Sequence, residues 1–275
     1  MQLSLKKKVN LLIIGKKSLL CRIFLDNTKI KYFSVYSRND LKKINFNTYT
    51  HIINFSFNPV LKKKKYKKEL DLDFKLSEIV KKYSIIYIMI STRFVYSNFK
   101  IRLNESTKIY KPITKYGQNK LIIENNIIKK LPCKHLILRV SNILYNDITK
   151  KKNLFFFNVL RSLKTKNKIL LNFNPSTFKD FITPKYFSRS LDQLILSNSV
   201  GTFNFCSGIK IKVDDIVKKI IEGYGKGKFL YTRKKIANES FFMSNSKLYA
   251  KTKIYLSLKQ IMNYSFNMGK ALRNG

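Results

Sequence analysis

Acidic residues are scarce in this sequence, whereas basic residues are abundant. Its 275 residues include 15 Asp and Glu against 56 Lys and Arg, which gives a formal net charge of +41. A surface this basic attracts anionic ligands, and nucleic acid is one partner whose binding gains from counterion release. Because the lysines are spread along the chain rather than gathered in one arm, we do not expect nucleic acid as a specific partner.

Glycine is scarce as well, with nine residues against 21 Phe and 16 Tyr. Together with the abundant Lys, Asn and Ile, this composition is typical of an AT-rich coding sequence. Such a bias explains the lysines but not the shortage of Asp and Glu. The hydrophobic content of 44% indicates a folded globular protein rather than a disordered one.

Cysteines and long apolar runs are few. The three cysteines, Cys21, Cys133 and Cys206, form no Cys-x-x-Cys pair, which indicates a reducing compartment and gives no sign of a zinc or other metal site. No apolar run approaches the roughly 20 residues that a membrane-spanning helix needs. Lys16 also interrupts the first apolar run, unlike in a signal peptide. We therefore expect a cytoplasmic protein without a membrane partner.

Short apolar runs alternate with longer amphipathic segments along the whole chain. The short runs predict strands at Val9–Ile14, Lys31–Tyr36, His51–Phe55, Ile85–Ser91 and Leu136–Val140. Apolar residues at three- and four-residue steps predict helices at Asp71–Lys82, Tyr116–Lys130, Leu154–Leu163, Lys185–Ile195, Val213–Glu222 and Leu256–Phe266. The lysine runs Lys62–Lys65 and Lys150–Lys152 predict solvated loops. This alternation predicts an α/β fold with a doubly wound parallel sheet.

A candidate phosphate-binding loop follows the first predicted strand. A turn on glycine between a strand and a helix directs free backbone N–H groups at an anion. A dinucleotide-binding loop would place small residues at Gly15, Ser18 and Cys21, and only the first of these is glycine. The loop therefore agrees with a pyrophosphate site, and equally with an ordinary strand–helix turn.

The end of the second predicted strand bears on the choice of dinucleotide. An acidic residue there would bind the ribose hydroxyls of NAD, whereas an arginine can pair with the 2′-phosphate of NADP. The strand ends without an acid, and Arg38 follows it. The sequence thus leans toward NADP, with NAD left open.

Three residues of a candidate catalytic set lie between the fourth strand and the next helix. Thr92 follows Ser91 at the strand end, and Tyr116 and Lys120 form a Tyr-x-x-x-Lys pair on one face of a helix. An ammonium beside a phenol is expected to lower the tyrosine pKa from its ordinary value near 10, which makes the phenol an effective acid or base. The hydroxyl of Thr92 can hold the reacting oxygen against it.

Five landmarks in order give this chain a resemblance to a known family. They are Ser91-Thr92-Arg93-Phe94-Val95-Tyr96, Tyr116-Gly117-Gln118-Asn119-Lys120, Leu138-Arg139-Val140-Ser141-Asn142, Lys179-Asp180-Phe181-Ile182 and Gly201-Thr202-Phe203-Asn204. With these motifs the chain resembles the extended short-chain dehydrogenase/reductases, in particular the NAD-dependent epimerase/dehydratase family that acts on nucleotide-sugars. The resemblance runs nearly from end to end.

The resemblance implies a fold, a division of the chain and a set of site residues. Residues 1–145, completed by about 181–206, would form a Rossmann dinucleotide-binding core, and 146–180 with 207–275 a smaller substrate-binding lobe. Thr92, Tyr116 and Lys120 would be catalytic. Tyr116 and Lys120 would also bind the cofactor, together with Gly15, Ser18, Leu19, Leu20, Arg38, Phe55 and Ser56. Thr92, Phe94, Asn142 and Lys179 would contact a nucleotide-sugar substrate. The resemblance also implies a homodimer through two long helices.

Departures from the family pattern narrow the reaction. Arg93 and Phe94 replace the Asp-Glu pair of the sugar dehydratases, so we do not expect a 4,6-dehydratase. What the resemblance leaves is hydride transfer at the sugar C4, as a 4-epimerase or a 4-ketoreductase. Phe55 stands in a segment where relatives often carry paired alanines, and Lys179 stands where many carry arginine. A degenerate, non-catalytic member and a basic nucleic-acid-binding protein are the alternatives.

Overall fold

A six-stranded parallel sheet forms the centre of the protein in a computed structural model that describes residues 8–96, 102–109, 111–146, 155–232 and 240–274. Its strands are β1 (Leu11–Ile14), β2 (Phe33–Tyr36), β3 (His51–Asn54), β4 (Ile86–Thr92), β6 (His135–Val140) and β11 (Gly201–Phe205). They lie in the order β11-β6-β4-β3-β1-β2, and each pairs in parallel with its neighbours.

The central strands are apolar on both faces because both faces of the sheet are covered. All four residues of β1 are buried, and successive side chains enter different parts of the core. Leu11 and Ile13 belong to one buried cluster, and Leu12 and Ile14 to the other. The predicted doubly wound α/β fold is therefore confirmed.

Eight helices in the described ranges cover the sheet and extend beyond it. Their bounds are α1 (Leu19–Leu25), α2 (Leu72–Val80), α3 (Lys115–Lys130), α4 (Phe155–Lys166), α5 (Pro184–Leu196), α6 (Val213–Tyr224), α7 (Ser246–Thr252) and α8 (Leu258–Asn274). None of these helices is long and apolar enough to cross a membrane.

Four two-stranded sheets accompany the central one. They pair β5 (Arg102–Leu103) with β14 (Phe242–Met243), β7 (Asn142–Ile143) with β10 (Phe181–Ile182), β8 (Lys168–Leu171) with β13 (Lys228–Tyr231), and β9 (Phe178–Lys179) with β12 (Ile211–Lys212). Most of these strands belong to the ranges assigned from the sequence to the substrate-binding lobe. The division of the chain into core and lobe stays a prediction.

The predicted elements are present, with shifted ends. The helix expected to end at Phe266 continues to Asn274, and α7 was not predicted. Lys62–Lys65 is exposed as expected, although Lys62 closes a short 3-10 helix. Leu154 and the lysine run Lys150–Lys152 lie outside the described residues.

The strand order reverses next to β1, which places a crevice at one edge of the sheet. β2 lies on one side of β1 and β3 on the other, so the connections leaving these strands diverge. In doubly wound sheets ligands bind in the crevice at the carboxyl ends of such strands. The segments that follow β1, β2, β3 and β4 meet there.

His51 on β3 makes the stability of the fold depend on pH. Burial lowers its pKa to about 4, from about 6.5 in an unfolded chain. Between these two pH values His51 is protonated in the unfolded state and neutral in the native state. The free energy of unfolding therefore decreases as pH falls from about 6.5 to about 4. The full loss is about 3 kcal/mol, because one pKa unit corresponds to about 1.4 kcal/mol.

In the variant His51→Leu we expect this decrease in the free energy of unfolding to be absent. Urea unfolding of wild type and variant between pH 7 and pH 4 measures the difference. Wild type is needed as the reference because buried carboxyls, among them Asp71, Asp180 and Asp192, act in the opposite direction. Burial raises the pKa of Asp71 and of Asp180 to about 6, so both stabilise the native state as pH falls through that value. Equal pH dependence in wild type and variant would contradict the assignment.

Candidate active site

A cleft of about 1000 Å³ lies at the carboxyl edge of the central sheet. Its walls come from the loop after β1, the turn after β2, the segment after β3, the end of β4, the first turn of α3 and the residues after β6. This volume is at the upper end of the range for ligand sites in proteins. The switch point of the sheet therefore has room for a large ligand.

Gly15 fits the loop after β1 as no other residue would. Its φ is +109°, and a Cβ there would lie 2.8 Å from the Ser56 backbone nitrogen and 3.0 Å from the Phe55 carbonyl carbon. Ser18 is the N-cap of α1, and Leu19 and Leu20 form its first turn. All four loop residues line the cleft, whereas Cys21 is buried in the core.

The segment after β3 leaves the cleft open. The Phe55 ring is 5% exposed and packs against the Phe24 ring, with their centroids 5.8 Å apart. It lines the cleft from the core side and does not fill it. The Ser56 backbone N–H donates to the Asn54 side chain over 2.9 Å, which fixes the strand end beside Gly15.

Positive charge predominates around the cleft. Arg38 lines it together with Lys16, Lys17 and Lys62, and none of the described residues that line it is Asp or Glu. The contact of Arg38 with a cofactor stays a prediction. Lys62 was not predicted from the sequence as a site residue. Low-dielectric walls carrying charge of one sign raise the local concentration of the opposite sign. The cleft therefore favours an anionic ligand.

Thr92 and Tyr116 both line this cleft. Thr92 ends β4, and its hydroxyl caps the following turn by accepting from the Phe94 N–H over 3.3 Å. Tyr116 lies in the first turn of α3, which begins where the Thr114 hydroxyl accepts from the Gly117 N–H. Within the cleft, the Thr92 hydroxyl lowers the pKa of the Tyr116 phenol.

The pKa of Tyr116 contradicts the expectation from the sequence. Burial raises it to about 12, and the Thr92 hydroxyl lowers it only in part. The negative charge of Asp73 raises it further. The expected lowering of this pKa by Lys120 is therefore wrong for this structure, and Tyr116 is a protonated phenol at neutral pH.

Lys120 lies behind the cleft rather than in its wall. It is 3% exposed, and its ammonium donates to the Ile90 carbonyl oxygen over 2.7 Å. The Phe57 ring covers it, with the Lys120 Nζ 4.4 Å from the ring centroid. Ile90 and Phe57, which Lys120 contacts, line the cleft, whereas Lys120 is not among the described residues of its wall. Direct contact between Lys120 and a cofactor stays a prediction.

The predicted substrate residues are more dispersed. Phe94 packs near Tyr116, with ring centroids 6.1 Å apart. The Asn142 side-chain amide donates to the Asp180 carbonyl oxygen over 2.9 Å, and Lys179 lies on β9 opposite Ile211. Neither Asn142 nor Lys179 belongs to the described wall of the cleft, although Ser141 does. Their contacts with substrate stay predictions.

A buried ion pair behind β4 was missed. Glu124 on α3 accepts from the Arg139 guanidinium over 2.8 Å and also from the Ser91 hydroxyl. Arg139 donates to the Tyr96 hydroxyl over 3.0 Å, and that hydroxyl donates to Asn204 over 2.6 Å. These residues tie α3 to β4 and β6 directly beside Thr92. Arg139 belongs to the Leu-Arg-x-x-Asn landmark, and this was the one feature of the sequence that could have indicated the ion pair.

Comparison with protein families supports the same fold. The model of the RmlD substrate binding domain matches residues 62–172. A search of curated protein sequences finds no match. Within the described part of the chain, no group of three or more His, Cys, Asp or Glu could hold a metal ion.

Solved structures match the chain almost from end to end at low sequence identity. RMD from Pseudomonas aeruginosa complexed with NADPH has a TM-score of 0.77 and 12% identity, covering 96% of this chain and 99% of that one. UDP-N-acetylglucosamine 4-epimerase from Methanobrevibacter ruminantium M1, in complex with UDP-N-acetylmuramic acid, has a TM-score of 0.79 and 13% identity, covering 97% and 98%. dTDP-4-dehydrorhamnose reductase from Yersinia enterocolitica has a TM-score of 0.75 and 16% identity, covering 95% and 100%. The Rossmann-type fold is thus confirmed, and the resemblance found in the motifs is confirmed at the level of fold.

Proposed function

We propose that this protein is an NAD(P)-dependent oxidoreductase of the short-chain dehydrogenase/reductase type that reduces a 4-keto group on a nucleotide-linked sugar. The observation that carries the proposal is that Tyr116 and Thr92 line the same cleft as the Gly15 loop, where the Thr92 hydroxyl lowers the pKa of the Tyr116 phenol. Among solved structures of this fold, those named above include a 4-dehydrorhamnose reductase and a 4-epimerase.

The cleft fits a dinucleotide. Gly15 leaves no room for a Cβ, so the loop after β1 lies directly against the Phe55–Ser56 backbone at the edge of the cleft. The first backbone N–H groups of a helix have no partner in their own turn. Ser18, Leu19 and Leu20 would hold the pyrophosphate, Arg38 the adenosine end, and Phe55 and Ser56 the opposite wall. A bound NADPH or NADH would supply the hydride, and the protein supplies placement and proton transfer.

Tyr116 is proposed as the general acid. Its protonated phenol would donate to the C4 oxygen of the sugar, and the Thr92 hydroxyl would hold that oxygen in place. At neutral pH this phenol is protonated, which is the state that a proton donor needs when a C4 carbonyl is reduced. Phe94 would pack on the sugar, and Asn142 and Lys179 would bind the nucleotide side of the substrate.

The proposed assembly and compartment follow from other features. Ile122 and Ile128 are exposed on α3, which supports a homodimer through long helices. The three free cysteines support a reducing compartment such as the cytoplasm.

The test of the function is an assay with NADPH and a series of nucleoside-diphosphate 4-keto-6-deoxy sugars. We expect loss of NADPH absorbance and formation of one mole of the C4 alcohol for each mole of NADPH oxidised. Interconversion of C4 epimers with bound NAD and no net oxidation would make the protein an epimerase instead. Dinucleotide binding without either reaction would make it a non-catalytic member of the fold.

The variant Arg38→Ala is expected to weaken NADPH binding far more than NADH binding. A hydrogen bond between charged groups contributes about 1.5–3 kcal/mol, so the dissociation constant for NADPH should rise by about tenfold to hundredfold. Fluorescence titration of both dinucleotides measures the effect. Lys42→Ala, which removes an exposed cation outside the described wall of the cleft, is the control. Equal losses for NADPH and NADH would contradict the NADP assignment.

A further inference from the structure

Lys120 shares its buried position with a carboxylate that the proposed mechanism does not use. The Asp73 Oδ2 lies 3.9 Å from the Lys120 Nζ, and both side chains are almost completely buried. Asp73 comes from α2 and Lys120 from α3, so the contact joins two helices on the same side of the sheet. A buried ammonium without a nearby anion would carry a large desolvation penalty.

Asp73 is fixed in place by two other elements. Its Oδ1 accepts from the Asn54 amide over 2.8 Å and from the Tyr87 hydroxyl over 2.7 Å. Asn54 ends β3 and Tyr87 lies on β4. Because Oδ1 is occupied by these donors, Oδ2 is the oxygen directed toward Lys120.

Other charged groups near Lys120 are engaged elsewhere. Glu124, one helical turn after Lys120 on α3, is paired with Arg139. The Asp71 carboxylate accepts from the Tyr66 hydroxyl over 2.8 Å and from the Phe74 N–H over 3.1 Å. Both acids still raise the pKa of Lys120 through space, whereas burial lowers it. Asp73 is the acid that forms an ion pair with this lysine.

The Asp73–Lys120 pair lies close to Tyr116, the proposed proton donor. Tyr116 precedes Lys120 by one helical turn, and the Phe57 ring contacts both, with its centroid 5.4 Å from that of Tyr116. The charge of Asp73 is also felt at Tyr116, where it raises the pKa of the phenol. Asp73 and Lys120 therefore form a buried pair of opposite charges behind the catalytic wall of the cleft.

We propose that Asp73 is the positioning residue for Lys120, holding its ammonium charged and withdrawn beneath Phe57 and the Ile90 carbonyl. The inference rests on the proposed function, since it assigns Lys120 an electrostatic role behind Tyr116. Asp73 touches neither cofactor nor substrate. It acts through Lys120 and the field at Tyr116.

The test compares the pH dependence of turnover in Asp73→Asn with that in wild type. Asparagine has nearly the same shape and keeps an acceptor for Asn54 and Tyr87, but it removes the charge. Since Asp73 raises the pKa of both Lys120 and Tyr116, the alkaline limb of the pH–kcat profile should move to lower pH, by roughly one unit or more. KM for the sugar should change less than about twofold, because Asp73 is not among the described residues of the cleft wall.

Tyr87→Phe is the matched control because it disturbs the same buried network without removing a charge. It deletes one hydrogen bond to Asp73, so it should lower the urea midpoint and leave the alkaline limb in place. If Tyr87→Phe moves the limb as far as Asp73→Asn does, the effect is structural and the proposal is wrong. A wild-type profile in folded Asp73→Asn would also overturn it.

A double-mutant cycle provides a readout that needs no turnover. Asp73→Asn is made in wild type and in Lys120→Met, and the decrease in the urea midpoint is measured in each. We expect the decrease to be at least about twice as large where Lys120 is present, because only there does the change leave a buried ammonium unpaired. Equal decreases overturn the proposal. A clear coupling in a protein that reduces no nucleotide-sugar would overturn the proposed function and leave the Asp73–Lys120 pair intact.

Discussion

Tyr116→Phe should remove nearly all turnover while leaving the fold and dinucleotide binding unchanged. The substitution deletes one hydroxyl and keeps the ring, so the contacts with Phe57 and Phe94 remain. What is lost is the proton donated to the C4 oxygen, and general acid catalysis contributes about 10²- to 10⁴-fold. We expect kcat to fall within that range, measured at saturating NADPH and substrate.

Two further measurements make this result specific. The dissociation constant for NADPH and the urea midpoint should match those of wild type, because Tyr116 contributes no charge to the cleft. Tyr249→Phe, which removes the hydroxyl of an exposed tyrosine on α7, should leave kcat unchanged. Wild-type turnover in Tyr116→Phe would show that another group donates the proton, and the proposed mechanism would be wrong.

Gly117→Ala is expected to damage stability and turnover together. A Cβ at this position would lie 2.0 Å from the Phe94 carbonyl oxygen and 2.8 Å from its carbonyl carbon. Since backbone atoms cannot rotate away as a side chain can, the first turn of α3 must separate from the turn after β4. Overpacking of this kind costs about 1–3 kcal/mol, and more where backbone must move. Thr92 and Tyr116 lie on the two segments that separate, so kcat should fall as well.

Asn125→Ala on the same helix is the control for Gly117→Ala. Asn125 is exposed, and alanine is the better helix former, so this variant should be as stable as wild type or slightly more stable. Urea unfolding of the three proteins measures the difference. A Gly117→Ala protein as stable as wild type would mean that α3 does not approach the turn as closely as described.

Local patterns predicted the parts of the protein that depend on nearby residues. The central strands could be predicted because they are short apolar runs bounded by polar residues. The helix α3 could be predicted because its apolar residues repeat at helical spacing over a long segment. The helix α7 has only seven residues, too few for a period to stand out. The helix α8 was expected to end before Gly269, yet Gly269 is where it packs closest to α6. A Cβ there would lie 1.9 Å from the Ile220 carbonyl oxygen.

In the candidate active site, too, only the features that depend on nearby residues could be predicted. Tyr116 and Thr92 could be placed together because each lies at the end of a predicted element. The direction of Lys120 could not be predicted, since it depends on Asp73 and on Phe57, which come from separate parts of the chain. The pKa of Tyr116 follows from burial, which is a property of the folded state.

The few acidic residues are distributed unevenly between the interior and the surface of the protein. Among the described residues five acids are buried, namely Asp71, Asp73, Glu124, Asp180 and Asp192, so the described surface is more cationic than the composition implies. Mutual repulsion among surface lysines opposes the compact state, and ions screen it over a Debye length of about 8 Å at physiological ionic strength. Added salt should therefore strengthen the fold while it weakens the long-range attraction of the cleft for anions. The ionic strength at which this protein is most stable is thus higher than the one at which it captures its ligands fastest.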